Sequence, residues 1–290
     1  MTAKRLDGKQ LAKEMRAELK ERIKQRVDAG RLAPGLAVVL VGDDPASAVY
    51  VRNKDRAARE VGIEAQTIRL DATVSQEELL AVIEQLNADD KVHGILCQLP
   101  LPAGLDEKTV VSSILPEKDV DGFHPLNIGR LAGGEPSLVA CTPVGVVHLL
   151  EATGLDLEGR EVVIVGRSKT VGRPLIQLLL NKNMTVTVAH SRTKDLATVC
   201  RRADVVVAAV GRAGLITAEH VKPGAVVIDV GINRLADGTL TGDVAADVAE
   251  KAAWLTPVPG GVGPMTIASL LENTLRAQIW AEEGQGTADS

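Results

Sequence analysis

Three side chains suited to ring stacking and proton transfer lie close together in the sequence: Ser47, Tyr50 and Lys54. Their spacing of i, i+3 and i+7 predicts that they share one face of a helix. The chain has one Tyr, one Phe and two Trp, so a tyrosine one turn before a lysine stands out as a stacking platform beside a proton-transfer group. Spacing alone favours the simpler alternative, in which Tyr50 covers the edge of the core and Lys54 is solvated.

A second segment has the residue types of a phosphate-binding turn. An apolar strand at 162–165 is followed by Gly166, Ser168 and Gly172, in the pattern Gly-x-Ser-x-x-x-Gly. Gly166 permits a tight turn, small Ser168 permits close approach of a phosphate, and Gly172 permits close packing of the next helix. The N-terminus of that helix offers N–H groups to a pyrophosphate. The alternative is a purely structural turn, which the surrounding alternation of strands and helices disfavours.

The end of the next predicted strand indicates which dinucleotide is bound. Enzymes that use NAD usually carry an acid there, bonded to the ribose 2′-hydroxyl. Here Ala189 is followed by Ser191, Arg192 and Lys194, and the first acid is Asp195. Because these cations, together with Arg167, suit a 2′-phosphate, we predict NADP rather than NAD. The alternative is a solvated basic turn.

Hydrophobic periodicity predicts the frame that positions these residues. Predicted strands cover 36–41, 67–70, 94–99, 162–165, 185–189, 204–210 and 225–230. Predicted helices cover 11–23, 47–61, 77–86 with Ser75 as N-cap, 143–152 with Thr142 as N-cap and Pro143 at the first helical position, 176–180, and about 264–281. The stretch 116–136 looks loop-rich.

This alternation predicts an α/β fold of two domains with parallel sheets, the C-terminal one Rossmann-type, and a cleft between them. We expect a first domain at 1–140, with the last helix (about 265–290) packing back on it. The nucleotide-binding domain is expected at 141–264, with the boundary near 138–145.

Composition excludes several classes of function. The net charge of −5, with acids and bases interspersed, and the scarcity of aromatic residues argue against nucleic-acid binding. No apolar run reaches the roughly 18 residues that span a membrane, and we identify no signal or transit peptide. Cys97, Cys141 and Cys200 are widely separated, which favours free thiols in a reducing cytoplasm over a disulfide or a metal site.

Longer segments identify a family resemblance. They are Val41 to Lys54 (VGDDPASAVYVRNK), Gly94 to Pro102 (GILCQLPLP), Pro116 to His124 (PEKDVDGFH), Val165 to Ser168 (VGRS), and Thr256 to Thr266 (TPVPGGVGPMT). In this order and spacing the chain resembles the bifunctional methylenetetrahydrofolate dehydrogenase/methenyltetrahydrofolate cyclohydrolase family over essentially its whole length. Departures are small: Ala140 replaces a usual Pro, and Lys169-Thr170 replaces Asn-Ile.

The resemblance implies a role for each candidate site residue. Lys54 is the central catalytic residue, Gln98 hydrogen-bonds to it and helps set its protonation, and Tyr50 packs on the folate's aromatic ring. Asp121 holds the pterin, whose ring N–H and amino group match the two carboxylate oxygens. Further expected contacts are to folate from Ser47, to folate and nicotinamide from Pro259, Gly260 and Gly261, and to NADP from Gly166, Arg167, Ser168, Ser191, Arg192 and Ile232.

The expected reaction oxidises methylenetetrahydrofolate with NADP and hydrolyses the methenyl product to 10-formyltetrahydrofolate. The resemblance also implies a cytoplasmic homodimer that supplies one-carbon units for purine biosynthesis and needs no metal. Alternatives are an NADP oxidoreductase similar to shikimate dehydrogenase, a dehydrogenase without hydrolase activity, and a non-catalytic nucleotide sensor. A calcium loop at 119–123 is rejected because Phe123 occupies the third acidic position.

Overall fold

The computed structural model describes residues 2–284, which divide into two units of α/β type. In chain order the strands are β1 (Lys4–Arg5), β2 (Gly35–Val41), β3 (Glu64–Leu70), β4 (Gly94–Cys97), β5 (Glu161–Val165), β6 (Thr185–Ala189), β7 (Val205–Ala208), β8 (Val226–Asp229), β9 (Asn233–Arg234), β10 (Leu240–Thr241) and β11 (Trp254–Leu255). The α-helices are α1 (Gly8–Asp28), α2 (Pro45–Val61), α3 (Gln76–Ala88), α4 (Glu107–Ser113), α5 (Pro125–Gly133), α6 (Cys141–Glu151), α7 (Gly172–Asn181), α8 (Leu196–Arg201) and α9 (Val262–Glu283). Two short 3-10 helices cover Ala218–His220 and Ala246–Glu250.

The first unit, residues 14–141 and 267–284, contains a parallel sheet in the order β3-β2-β4. Every residue of the central strand β2 is buried, as expected for a parallel strand covered on both faces. Leu270, Leu271 and Leu275 of α9 share one apolar core with Leu36 and Val38 of β2. The last helix therefore contributes to the core of this unit.

Local capping explains where the helices around this sheet begin. The Asp44 carboxylate accepts a hydrogen bond from the Ser47 backbone N–H at 2.7 Å, and Pro45 occupies the first turn of α2. The predicted Ser75 N-cap of α3 is confirmed: its hydroxyl accepts from Glu78 N, and the Glu78 carboxylate accepts from Ser75 N. This reciprocal pair is a capping box.

One helix lies where the sequence indicated loop. Within the predicted loop-rich stretch 116–136, Pro125 starts α5 and the His124 ring accepts a hydrogen bond from Leu126 N at 3.0 Å. The prediction was wrong there because Pro and Gly were interpreted only as loop residues. Pro125 instead sits at a helix start, where its missing N–H has no cost.

The second unit, residues 2–13 and 142–266, contains a six-stranded parallel sheet in the order β1-β11-β8-β7-β5-β6. The predicted α/β class with parallel sheets and a Rossmann-type C-terminal unit is confirmed. The expected first domain, 1–140, differs from the observed unit at its start: Lys4 and Arg5 pair with Trp254 and Leu255. A two-residue strand carries no periodicity by which the sequence could reveal this pairing.

The start of α6 also differs from the prediction. This helix begins at Cys141, so Thr142 is not its N-cap and Pro143 is not its first residue. Pro143 is nevertheless compatible with the helix, because N–H groups in the first turn have no intrahelical acceptor. Among the helices within residues 2–284, none is both long and apolar enough to cross a membrane.

Candidate active site

A buried lysine is the centre of the first cluster of candidate residues. Lys54 lies on α2 with only 8% of its surface exposed, and its Nζ donates a hydrogen bond to Gln98 Oε1 at 3.0 Å. Gln98 directly follows β4, and its Nε2 donates to the Leu99 carbonyl at 2.8 Å. The second bond fixes the amide so that its oxygen faces the lysine. The alternative in which Lys54 is solvated is therefore wrong.

Asp121 supplies the negative charge of this cluster. Burial raises the pKa of the Asp121 carboxyl, while the positive charge of Lys54 and the neighbouring Cys141 thiol oppose that rise. The site therefore brings together the Lys54 amino group, the Gln98 amide oxygen and the Asp121 carboxylate, all partly shielded from solvent. Such a combination suits proton transfer and the binding of a ligand that offers paired N–H donors.

A second acid beside Asp121 was not singled out from the sequence as a site residue. Asp119 is buried and accepts hydrogen bonds from His124 N at 2.7 Å and from Asn127 Nδ2 at 3.0 Å. Burial raises its pKa to about 7, and the charge of Asp121 adds to the rise. The alternation of acids at Asp119 and Asp121 was the available signal, but it was weighed only as a calcium loop.

Cys141 was also missed as a neighbour of the site. Its thiol donates to the Val120 carbonyl at 3.3 Å, and it lies beside the Asp121 carboxylate. Asn273 of α9 donates to the carbonyls of Val120 and Val139, each at 2.9 Å. These contacts hold the backbone that precedes Asp121 together with the segment at Val139 and Cys141, and they join residues too distant in sequence for any spacing rule to detect.

The three residues predicted to share one face of α2, Ser47, Tyr50 and Lys54, differ in solvent exposure. Ser47 and Lys54 are buried, whereas Tyr50 is 48% exposed. The Tyr50 ring is thus accessible to a flat ligand rather than sealed in the core. No hydrogen bond joins Ser47 directly to Lys54 among the described contacts.

The glycine turn after β5 has the close backbone approach that its sequence predicts. Gly166 has φ 129°, and a Cβ there would overlap the carbonyl oxygen of Ala209. A Cβ on Gly172 would overlap the carbonyl oxygen of Gly166. Both positions therefore require glycine.

Ser168 has a structural task in this turn that the sequence did not reveal. Its hydroxyl accepts hydrogen bonds from Val171 N at 3.1 Å and Gly172 N at 3.3 Å. Val171, the N-cap of α7, provides no side-chain cap of its own. Ser168 thus closes the turn and starts the helix.

Exposed polar and cationic side chains surround this turn. Arg167, Ser191 and Arg192 are exposed. The loop after β6 is held by two bonds, His190 N to Thr193 Oγ1 at 2.8 Å and Arg192 N to His190 Nδ1 at 3.2 Å. A tight glycine turn, a helix N-terminus and free cations fit a dinucleotide that carries an additional phosphate.

The glycine loop before α9 is packed rather than open. The Gly260 carbonyl accepts a hydrogen bond from Lys9 N at 3.0 Å, and a Cβ on Gly261 would lie 2.6 Å from the Pro257 carbonyl oxygen. Pro259 is exposed at the tip. Ile232, which follows β8, is 50% exposed.

Metal-ligand types do not cluster in the described residues: within 2–284, no group of three His, Cys, Asp or Glu side chains is arranged to hold a metal ion. The three cysteines are free, as predicted, and the structure shows that all three are buried. Burial raises the pKa of Cys97 to about 12 and that of Cys200 to about 11, which keeps both thiols protonated at neutral pH.

Comparison with known proteins identifies both units. Residues 6–121 match the family model "Tetrahydrofolate dehydrogenase/cyclohydrolase, catalytic domain", and residues 140–282 match "Tetrahydrofolate dehydrogenase/cyclohydrolase, NAD(P)-binding domain". The "Bifunctional protein FolD" of Moorella thermoacetica is 57% identical over 278 residues, which is 96% of this chain and 99% of that protein.

Solved structures agree with this assignment. A bifunctional methylenetetrahydrofolate dehydrogenase/cyclohydrolase from Campylobacter jejuni has a TM-score of 0.93 at 48% identity, covering 95% of this chain and 98% of that one. The Trypanosoma brucei methylenetetrahydrofolate dehydrogenase-cyclohydrolase, complexed with NADP cofactor and inhibitor, has a TM-score of 0.92 at 39% identity, covering 98% and 99%. The chain therefore belongs to the tetrahydrofolate dehydrogenase/cyclohydrolase family.

Proposed function

We propose that this chain oxidises 5,10-methylenetetrahydrofolate with NADP and then hydrolyses the methenyl product to 10-formyltetrahydrofolate. The observation that carries the proposal is the buried Lys54–Gln98 hydrogen bond beside Asp121, in a chain of this family. The relatives that match over nearly their full length are named as bifunctional, which supports both activities.

In the oxidation, the chain's residues bind and orient the folate. The Asp121 carboxylate accepts hydrogen bonds from the pterin ring N–H and amino group, and the nearby Lys54 charge favours its ionised form. The exposed ring of Tyr50 stacks on the folate's aromatic ring. NADP, when bound, supplies a hydride acceptor, so the protein's contribution to this step is alignment.

In the hydrolysis, Lys54 moves the proton. As the free amine, Nζ takes a proton from the water that attacks the methenyl carbon; one C–N bond of the bridge then breaks, and Nζ gives that proton to the nitrogen that leaves. Gln98 holds Nζ from one side through its amide oxygen. Because the Gln98 amide is itself fixed by the Leu99 carbonyl, the lysine has a defined position before the substrate arrives.

The second unit binds the cofactor in this proposal. The turn of Gly166, Arg167 and Ser168 and the start of α7 take the pyrophosphate. Ser191 and Arg192 take the 2′-phosphate. Ile232 and the loop of Pro259, Gly260 and Gly261 border the nicotinamide, and this loop also borders the folate.

An absorbance assay with purified protein and methylenetetrahydrofolate, run in parallel with NADP and NAD, tests the proposal. We expect reduced cofactor to form faster with NADP, with little accumulation of the absorbing methenyl product because it is hydrolysed. Reduction with persistent methenyl absorbance would leave a dehydrogenase alone. No reduction with either cofactor would refute the folate reaction.

We further propose a homodimer that acts in the cytoplasm and supplies one-carbon units for purine biosynthesis. Family membership supports these points, and β3 lies at an edge of its sheet, where a second copy can add. Light scattering of the purified protein tests the dimer: we expect twice the mass of the chain, and the mass of a single chain would contradict it.

A further inference from the structure

The second unit contains a buried acid that the proposed function does not use. Asp243 is fully buried and lies between β10 and the 3-10 helix Ala246–Glu250. Its Oδ2 accepts hydrogen bonds from Val210 N at 2.7 Å and Gly211 N at 3.0 Å, and its Oδ1 accepts from Arg212 N at 2.7 Å. Three successive backbone N–H groups therefore converge on one carboxylate. This geometry is that of an anion-binding nest whose anion is part of the chain.

The location of this nest connects it to the cofactor. In the strand order β8-β7-β5-β6, the chain runs from β5 to β6 on one side and crosses to β7 on the other. Dinucleotides bind at such a switch point, outside the carboxyl ends of the strands. The glycine turn after β5 forms one wall there, and segment 209–212 after β7 forms the other. The two walls touch, because a Cβ on Gly166 would overlap the Ala209 carbonyl.

The same carboxylate also holds the segment after β8. Asn233 Nδ2 donates to Asp243 Oδ1 at 2.9 Å, and Asn233 directly follows Ile232, the half-exposed residue proposed to contact NADP. With this fourth bond each carboxylate oxygen accepts two donors, which fills the acceptor capacity of the group.

A second buried acid fixes Asp243 in turn. Asp229, at the end of β8, accepts hydrogen bonds from Asp243 N at 2.9 Å and Gly231 N at 3.1 Å through Oδ1, and from Val244 N at 3.0 Å through Oδ2. Burying two neighbouring carboxylates costs desolvation free energy, which hydrogen bonds to each carboxylate must offset. Six of their seven donors are backbone N–H groups: three lie after β7, one lies after β8, and two belong to Asp243 and Val244 after β10.

We propose that Asp243 is a positioning residue of the cofactor site. It holds segment 210–212 through three backbone N–H groups and segment 231–233 through the Asn233 side chain, so that the wall facing the glycine turn is formed before NADP binds. It acts without touching the cofactor. This inference rests on the proposed function for the identity of the cofactor.

The variant Asp243→Asn tests the inference. An amide keeps the shape but replaces one acceptor oxygen by a donor, so the N–H groups facing that side lose their acceptor. We expect the Kd for NADP, measured by titration calorimetry without folate, to rise about tenfold or more. The KM for NADP should rise in parallel while kcat changes little. Hydrolysis of methenyltetrahydrofolate in the absence of NADP should be retained, which shows that the variant is folded.

Two further variants complete the experiment. Asp237→Asn, in the exposed turn between β9 and β10, where the carboxylate accepts from Thr239, is the matched control and should bind NADP as the wild type does. Asn233→Ala removes one donor and leaves the three backbone bonds to Asp243 in place, so a smaller rise in the Kd for NADP with normal hydrolysis is expected. If Asp243→Asn does not fold, the Asn233→Ala variant becomes the test, and an unchanged Kd of this variant for NADP would overturn the inference.

The outcomes separate the inference from the proposed function. If the wild type binds NADP and folded Asp243→Asn binds it equally well, the positioning role is refuted and the folate reaction is untouched. Equal losses of NADP binding and of hydrolysis would show that Asp243 only maintains the fold, which would also refute the positioning role. If the wild type binds NADP but oxidises no folate, the proposed reaction fails, while the calorimetric comparison still decides the role of Asp243.

Discussion

At the scale of single residues, the candidate active site depends on groups held in partly desolvated surroundings. Lys54 is buried and hydrogen-bonded to Gln98. Asp121 is partly buried, and the positive charge of Lys54 opposes the rise in its pKa that burial causes. A buried charge is tolerated only when it is paired or hydrogen-bonded. The same contacts that make the burial tolerable also orient the groups for proton transfer.

Replacing the lysine should separate catalysis from folding. We expect Lys54→Met to lower the hydrolysis of methenyltetrahydrofolate by about 100-fold or more, the usual contribution of an acid–base group. The methionine side chain retains most of the apolar volume. The exposed Lys20→Met on α1 is the matched control and should keep wild-type activity. A Lys54→Met protein with full hydrolase activity would remove this residue from the mechanism.

The second acid of the site should appear in the pH dependence of stability. The pKa of Asp119 is about 7 in the folded protein, against an ordinary value of 3.8. An elevated folded pKa means that the folded state binds the proton more tightly, so the resulting stability is present at low pH and is lost as pH rises through about 7.

Comparison with Asp119→Asn isolates this effect from all other titrating groups. We expect the stability of the variant relative to the wild type to increase between pH 5 and pH 8 by more than about 1 kcal/mol, because one pKa unit corresponds to ~1.4 kcal/mol. Urea denaturation of both proteins at the two pH values measures it. A stability difference that is the same at both pH values would show that Asp119 does not titrate as described.

At the scale of the element, the residues at the ends of helices and strands determine which dinucleotide is bound. The loop after β6 presents Ser191 and Arg192 to solvent and is held by the bonds of His190 with Thr193 and Arg192. A loop fixed through its backbone leaves its cationic side chains free for a ligand. The choice between NADP and NAD therefore belongs to this element.

Neutralising these cations should alter cofactor choice selectively. We expect the double variant Arg192→Gln/Lys194→Gln to raise the KM for NADP by about tenfold or more, since hydrogen bonds to charged groups contribute ~1.5–3 kcal/mol. The KM for NAD should change little. Lys182→Gln, at the opposite end of α7 from the glycine turn, is the control for loss of a positive charge away from this loop. Equal losses for both cofactors would show that these side chains do not bind the 2′-phosphate.

The capping box of α3 offers a test of helix formation away from the site. Ser75→Ala removes the hydroxyl that accepts from Glu78 N, and we expect a loss of ~1 kcal/mol in the free energy of unfolding. Thermal or urea denaturation measures this loss. The exposed Ser112→Ala within α4 removes a hydroxyl without removing a cap and should not destabilise the protein. If Ser75→Ala were as stable as the wild type, the cap would contribute nothing.

At the scale of the whole molecule, how much the sequence predicts depends on how local the determining signal is. Strand β2 and strand β5 were predicted because each is a continuous apolar run. Strands β1 and β11 were missed because two-residue strands have no period, and their pairing joins the two ends of the second unit. The glycine turn and the Lys54 cluster were visible as motifs. The contacts of Asp243, Cys141 and Asn273 were not, because their partners are brought together only by the fold.

Cofactor binding should stabilise the folded chain as a whole. A ligand that binds only the folded state at 100 times its Kd adds ~2.7 kcal/mol to the free energy of unfolding. We therefore expect NADP to raise the Tm in a concentration-dependent way and NAD at equal concentration to raise it less. Equal shifts for both dinucleotides would contradict the preference for NADP.

Measuring both products of a single reaction tests whether the protein is a dehydrogenase and a cyclohydrolase at once. Purified protein is incubated with methylenetetrahydrofolate and NADP, samples are quenched over time, and NADPH and 10-formyltetrahydrofolate are quantified by mass spectrometry against a reaction without protein. We expect the two products to appear in equal amounts and the formyl product to form faster than by spontaneous hydrolysis. NADPH with formyl product only at the spontaneous rate would contradict the hydrolase, and the absence of NADPH would contradict the folate reaction itself.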